Sequence, residues 1–111
     1  MVNVSVLRDK EKRVLAFQCK GHAGYAKRAN ELDVVCAAVS GIVYTALGYM
    51  EEYHGMQEFT EQSGFIKWNR PEGLEPEVLE QITPVLDAMV VGLKQIEMQY
   101  QKHVKVVDEE V

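Results

Sequence analysis

The sequence has 111 residues, a length that points to one domain built on one core. Apolar residues make up 47% and charged residues 26%, which excludes a disordered composition and supplies a core without disulfide or metal staples. The formal net charge is -5, from 12 basic and 17 acidic residues, and no basic run follows a phosphate backbone, so no direct nucleic-acid partner is expected.

Val2, Val4 and Val6 alternate with polar residues, the pattern of a half-buried strand. Asp9 to Lys12 is a polar turn. Arg13 to Lys20 is a second strand with Leu15, Phe17 and Cys19 on one face, and the two strands form a hairpin that Gly21 ends. Ala23 to Leu32 is a connection with few large apolar anchors beyond Tyr25 and Leu32, expected to be mobile until a peptide binds. Asp33 is predicted to cap the next helix, because its carboxylate can accept the amide protons two and three residues on. That helix extends to about Glu52 and stops at Gly55. It is rich in small residues: Ala37, Ala38, Ser40, Gly41, Ala46 and Gly48. The stretch Val34 to Met50 is uncharged over 17 residues, just short of a membrane span. It is read as a buried helix, with no membrane partner.

Gln57 to Gln62 and Phe65 to Asn69 flank Ser63-Gly64, a two-residue hairpin turn. After Pro71 and Gly73, the positions Leu79, Ile82, Leu86, Met89, Val90, Leu93, Ile96 and Tyr100 hold the helical period, with Pro76 in the first turn. Pro84 either kinks this helix or starts it, with Thr83 as cap. Val104 to Val107 is a short last strand, and Asp108, Glu109 and Glu110 form a solvated acidic tail. The order strand-strand-helix-strand-strand-helix-strand predicts an α+β fold over residues 1–111, with two helices packed on a mixed or antiparallel sheet.

The chemistry concentrates in Gly21 to Ser40, GHAGYAKRANELDVVCAAVS. His22 follows a strand. Cys36 stands in the first helical turn, where free amides and the helix dipole favour thiolate over thiol. The same amides can stabilise an oxyanion after attack on a carbonyl. A histidine within reach of the sulfur completes a nucleophile-base pair. Ser40 lies one helical turn past Cys36 and can donate a hydrogen bond there. Taken alone, one Cys and one His also fit an inert core cysteine.

Gly21-His22-Ala23, followed after a variable loop by Asp33-Val34-Val35-Cys36-Ala37-Ala38-Val39-Ser40, resembles the two-part signature of the ribosomal-processing cysteine protease family, Prp. Only Val34, a conservative change, departs from the second block. The resemblance extends to the general layout, including Gly92-Leu93-Lys94-Gln95-Ile96 in the second helix. It implies catalytic His22 and Cys36, with Asp33 and Ser40 in supporting positions. It further implies a cysteine endopeptidase that removes the N-terminal extension of a large-subunit ribosomal protein, number twenty-seven, cutting after a phenylalanine during ribosome maturation. The loop from His22 to Asp33 is longer than the family's usual form. Asn30, Glu31 and Leu32 stand where a glycine is common, so loop geometry and substrate range are expected to differ.

Other readings compete. Cys19, His22 and Cys36 with Asp33 make an incomplete zinc set, so neither metal nor cofactor is expected. Cys19 and Cys36 lack the Cys-x-x-Cys spacing of a redox pair. A non-catalytic ribosome-assembly protein with Cys36 in its core is the alternative function. His54 and His103 are read as surface residues, and Trp68 and Phe65 as core or subunit contacts. The small-residue helix and the resemblance both predict a homodimer. Two thiols and the polar start MVNVSVLRDK predict a cytoplasmic protein without a signal peptide.

Overall fold

The computed structural model describes residues 1–27 and 33–111. Alternating valines and the partly apolar second strand form β1 (Val2–Arg8) and β2 (Val14–Lys20), paired antiparallel. They are followed by α1 (Val34–His54), β3 (Thr60–Gln62), β4 (Phe65–Asn69), α2 (Pro76–Gln99) and β5 (Val104–Glu110). The five strands make one mixed sheet in the order β3-β4-β2-β1-β5. The expected α+β element order is therefore the observed one. β5 lies parallel to β1, and the other pairs are antiparallel.

Register explains which side of the sheet carries the core. Val4 stands opposite Cys19 and Val6 opposite Phe17, while Ile66 and Trp68 face Cys19 and Phe17 from β4. All six are buried on one face with Val2 and Val104, because side chains alternate along a strand. Phe17 and Trp68 stack at 5.8 Å, and truncating either ring is worth about 3–5 kcal/mol of stability. Leu15 does not join Phe17 and Cys19 on that face as expected. A bulge beside Leu7 and Arg8 resets the register, so Val14 points into the core and Leu15 is only partly buried.

Both helices cover this apolar face. α1 buries Val35, Val39, Val43, Ala46, Leu47 and Met50; α2 buries Ile82, Leu86, Met89, Val90 and Leu93. By length and composition α1 could cross a membrane, yet these residues hold it on the sheet and α2. It runs two residues past Glu52, to His54, before Gly55 caps it. Pro84 lies inside an unbroken α2, and Thr83 does not cap: its hydroxyl donates to the Leu79 carbonyl at 2.6 Å. β3 is limited to Thr60–Gln62, all exposed, whereas Met56 and Phe59 pack against the core outside the ladder.

The acidic tail is strand rather than a loose end, although Glu109 and Glu110 stay exposed. Asp108, Glu109 and Glu110 continue β5 beside β1, in register with Val6, Leu7 and Arg8. Asp108 accepts from Arg8 Nε and Lys94 Nζ, both at 2.8 Å, while Arg8 Nη1 reaches Asp87 at 2.8 Å. These cations offset the charge that would otherwise repel the strand.

Candidate active site

Asp33 organises the start of α1. Its Oδ1 accepts the amides of Val35 and Cys36 at 3.1 and 3.0 Å, as the capping pattern predicts. Its Oδ2 accepts the amides of Tyr25 and Ala26 at 2.9 and 3.3 Å. One carboxylate thus ties the chain just after His22 to the first turn of α1. Partial burial pushes the Asp33 carboxyl up, but the backbone donors, Cys36 first, outweigh it and hold it below the usual carboxylate range.

The cap changes one expectation. The Val35 and Cys36 amides are used by Asp33, and the Ala37 amide by the Asp33 carbonyl at 3.0 Å, so this trio does not point at a ligand. The donor at the sulfur comes instead from the loop: Ala23 N–H meets Cys36 Sγ at 3.1 Å. Among the described residues, no hydrogen bond joins His22 to Cys36.

His22 is held at the end of β2 by two glycines. Gly21 N–H donates to the Gly64 carbonyl at 2.8 Å. Gly21 has φ 101, and a Cβ there would meet the Met1 carbonyl oxygen at 2.3 Å, so no other residue fits. Gly64, at φ 69 in the β3–β4 turn, lies against the imidazole: a Cβ there would stand 2.8 Å from His22 Nε2. The predicted Ser63-Gly64 turn therefore forms one wall of the site.

A cavity of about 170 Å³ opens between this turn and α1. His22, Cys36 and Ser40 all line it. Cys36, Ser40 and Tyr44 follow at four-residue steps on one face of α1. Val2, Val39, Val43 and Ile66 supply an apolar floor. Tyr44 closes one end by donating its hydroxyl to the Glu61 carboxylate on β3. Trp68 belongs to the core, whereas Phe65 borders the cavity. Cys19 also borders it, but burial pushes that thiol up to about 11, so it stays protonated near neutral pH. Among the described residues, no group of three or more His, Cys, Asp or Glu side chains is placed to hold a metal ion.

The sequence pattern missed His103. It is half-buried, and its Nδ1 lies 2.9 Å from the Ala23 carbonyl. Tyr25 packs edge-on to both His103 and Tyr100. No local spacing relates residues 80 positions apart, and only the β1–β5 pairing brings them together. The start of the connection, Ala23 to Ala26, is hydrogen-bonded to Cys36, His103 and Asp33, while residues 28–32, including Asn30, Glu31 and Leu32, lie outside the described residues.

Comparison with known proteins gives the family. The family described as cysteine protease Prp matches residues 1–105. The ribosomal processing cysteine protease Prp of Bacillus subtilis (strain 168) is 28% identical over 109 residues, 96% of each chain. Two crystal structures of the essential ribosomal processing protease Prp from S. aureus share the fold. The complex with a covalently linked product peptide has a TM-score of 0.76 at 18% identity, covering 98% of this chain and 99% of the other. The complex with a substrate peptide has a TM-score of 0.79 at 17% identity, covering 97% and 99%. With the family matched over nearly its whole length, this chain belongs to the ribosomal-processing cysteine proteases of the Prp family.

Proposed function

We propose that the chain is a cysteine endopeptidase in which Cys36 attacks the scissile carbonyl and His22 serves as general base. The observation that carries this reading is the placement of Cys36 Sγ, under the Ala23 N–H at the start of a capped helix, in one cavity with His22. His22 takes the thiol proton as sulfur bonds to the carbonyl carbon. Collapse of the tetrahedral adduct expels the amine, which receives that proton, and leaves a thioester on Cys36. Water, deprotonated by His22, then releases the acid and regenerates the thiol. Once sulfur is acylated it is a poor acceptor, which frees the Ala23 N–H to serve the oxyanion. The Ser40 hydroxyl, on the same cavity wall, supports the bound peptide, and Asp33 holds the loop in place.

The substrate is the N-terminal extension of large-subunit ribosomal protein number twenty-seven. The similarity to a ribosomal processing protease and to a structure with a substrate peptide supports ribosomal processing and a peptide ligand, and the apolar cavity floor suits a chain cut beside a large apolar side chain. We place the enzyme in the cytoplasm, where such precursors are made, and as a homodimer. The uncharged stretch of α1 from Val34 to Met50 exposes Ala37, Ala38, Gly41, Thr45 and Gly48 to water, a face that a second copy can approach closely. The direct test incubates the protein with the unprocessed ribosomal protein and reads the products by mass spectrometry. A single cut near the N terminus is expected. An uncut precursor together with an unreactive Cys36 would leave the non-catalytic assembly reading.

A further inference from the structure

We infer that His103 is a positioning residue for Cys36, acting through the backbone of Ala23. The inference rests on the reading of Cys36 as nucleophile. Ala23 is only 2% exposed, and both of its backbone groups are engaged. Its N–H donates to Cys36 Sγ at 3.1 Å, and its carbonyl lies 2.9 Å from His103 Nδ1. A carbonyl oxygen can only accept, so Nδ1 carries the proton, and the contact selects that form of the ring.

His103 is itself fixed. Its amide donates to the Tyr100 carbonyl at 2.8 Å, and its own carbonyl accepts the Val2 amide at 2.8 Å. The ring therefore hangs from a turn locked to α2 on one side and β1 on the other. Tyr25 backs it edge-on, with centroids 5.3 Å apart, and is anchored in turn through its amide to Asp33. His103 and Cys36 never touch; the link is the Ala23 residue between them. A hydrogen bond to sulfur weakens steeply when its angle or length is disturbed, and an N–H on sulfur favours the anionic form over the thiol. Without the His103 donor the Ala23 amide drifts, and Cys36 loses reactivity.

The test measures alkylation of Cys36 by iodoacetamide across pH in the full-length protein, with peptide mapping to separate it from Cys19. His103→Ala is expected to slow Cys36 alkylation near neutral pH about tenfold, the loss of one hydrogen bond to a charged group. It should also move the pH profile upward. His103→Asn places an amide N–H where Nδ1 stood and should restore most of the rate. His103→Gln keeps the bulk but carries its amide out of reach of the Ala23 carbonyl, and should behave like alanine. This variant also serves if His103→Ala fails to fold. The inference is overturned if His103→Gln matches the native profile, or if His103→Asn is no faster than His103→Gln. An unreactive Cys36 in the native protein overturns the nucleophile reading itself, and this inference with it.

Discussion

The Asp33 carboxylate accepts the Tyr25 amide at 2.9 Å through the oxygen that the helix cap leaves free. It thereby joins two tasks, starting α1 and holding the loop that follows His22. Asp33→Ala should cost about 0.5–2 kcal/mol for the lost cap. It should also lower peptide cleavage at temperatures where the protein remains folded. The acid dependence has a defined sign. The folded carboxyl lies below its unfolded value of about 3.9, so native protein binds fewer protons there. Its stabilisation is complete above that value and is lost as pH falls through the folded value. Urea unfolding between pH 3 and 6 should show a weaker acid decline in Asp33→Asn than in the native chain; parallel curves would contradict this.

Cys36→Ser should abolish cleavage with stability within about 0.5 kcal/mol of native, since the residue is only partly buried. Cys19→Ser should do the reverse. Its hydroxyl enters an apolar site at a cost of about 1–3 kcal/mol, yet cleavage by the folded fraction persists. Product analysis alongside urea melts of both variants checks the pair. Equal activity loss in both would point to shared metal or redox chemistry.

Gly64→Ala tests the wall against His22. The new methyl meets the imidazole and requires φ 69, so cleavage should fall at least tenfold. The Phe17–Trp68 core lies away from the turn, and Trp fluorescence should remain native. Full activity in this variant would show that His22 has room to move without consequence.

The Arg8, Asp87, Lys94 and Asp108 network should matter for stability and not for cleavage. Desolvation pushes the Asp108 carboxyl up, but Arg8 and Lys94 outweigh it and hold it below the usual range. Asp108→Ala leaves the part-buried Arg8 with the Asp87 carboxylate and the Lys12 carbonyl and should cost about 1–3 kcal/mol. Urea unfolding measures the loss, and an unchanged midpoint would show the network to be ornamental. The specific activity of the folded variant should stay native.

Light scattering at micromolar concentration should give twice the chain mass. Ala38→Arg, on the exposed small-residue face of α1, should shift that mass toward one chain. A monomer mass for the native protein would contradict the homodimer.

Local pattern made much of this legible. The valine alternation, the Asp33 cap and the Ser63-Gly64 turn each depend on neighbours within a few residues, and each stands where the pattern places it. The errors arose where distant partners decide. Leu15 lost its inward place to a bulge set by β1, and the acidic end became strand because Arg8 and Lys94 meet it. His103 read as surface for the same reason. The expectation that helix amides would be free overlooked that Asp33 uses them itself.

The parallel pairing of β5 with β1 also bears on when the site can exist. Arg8 and Asp108 are 100 residues apart, and closing so long a loop makes this contact entropically slow to form. During synthesis the hairpin, α1 and Cys36 emerge well before β5. Until β5 docks, the turn that carries His103 is not held on β1, and His103 is not on the Ala23 carbonyl. With His103 in its proposed positioning role, a nascent or truncated copy carries His22 and Cys36 without that contact, and competence arrives last, with the far strand.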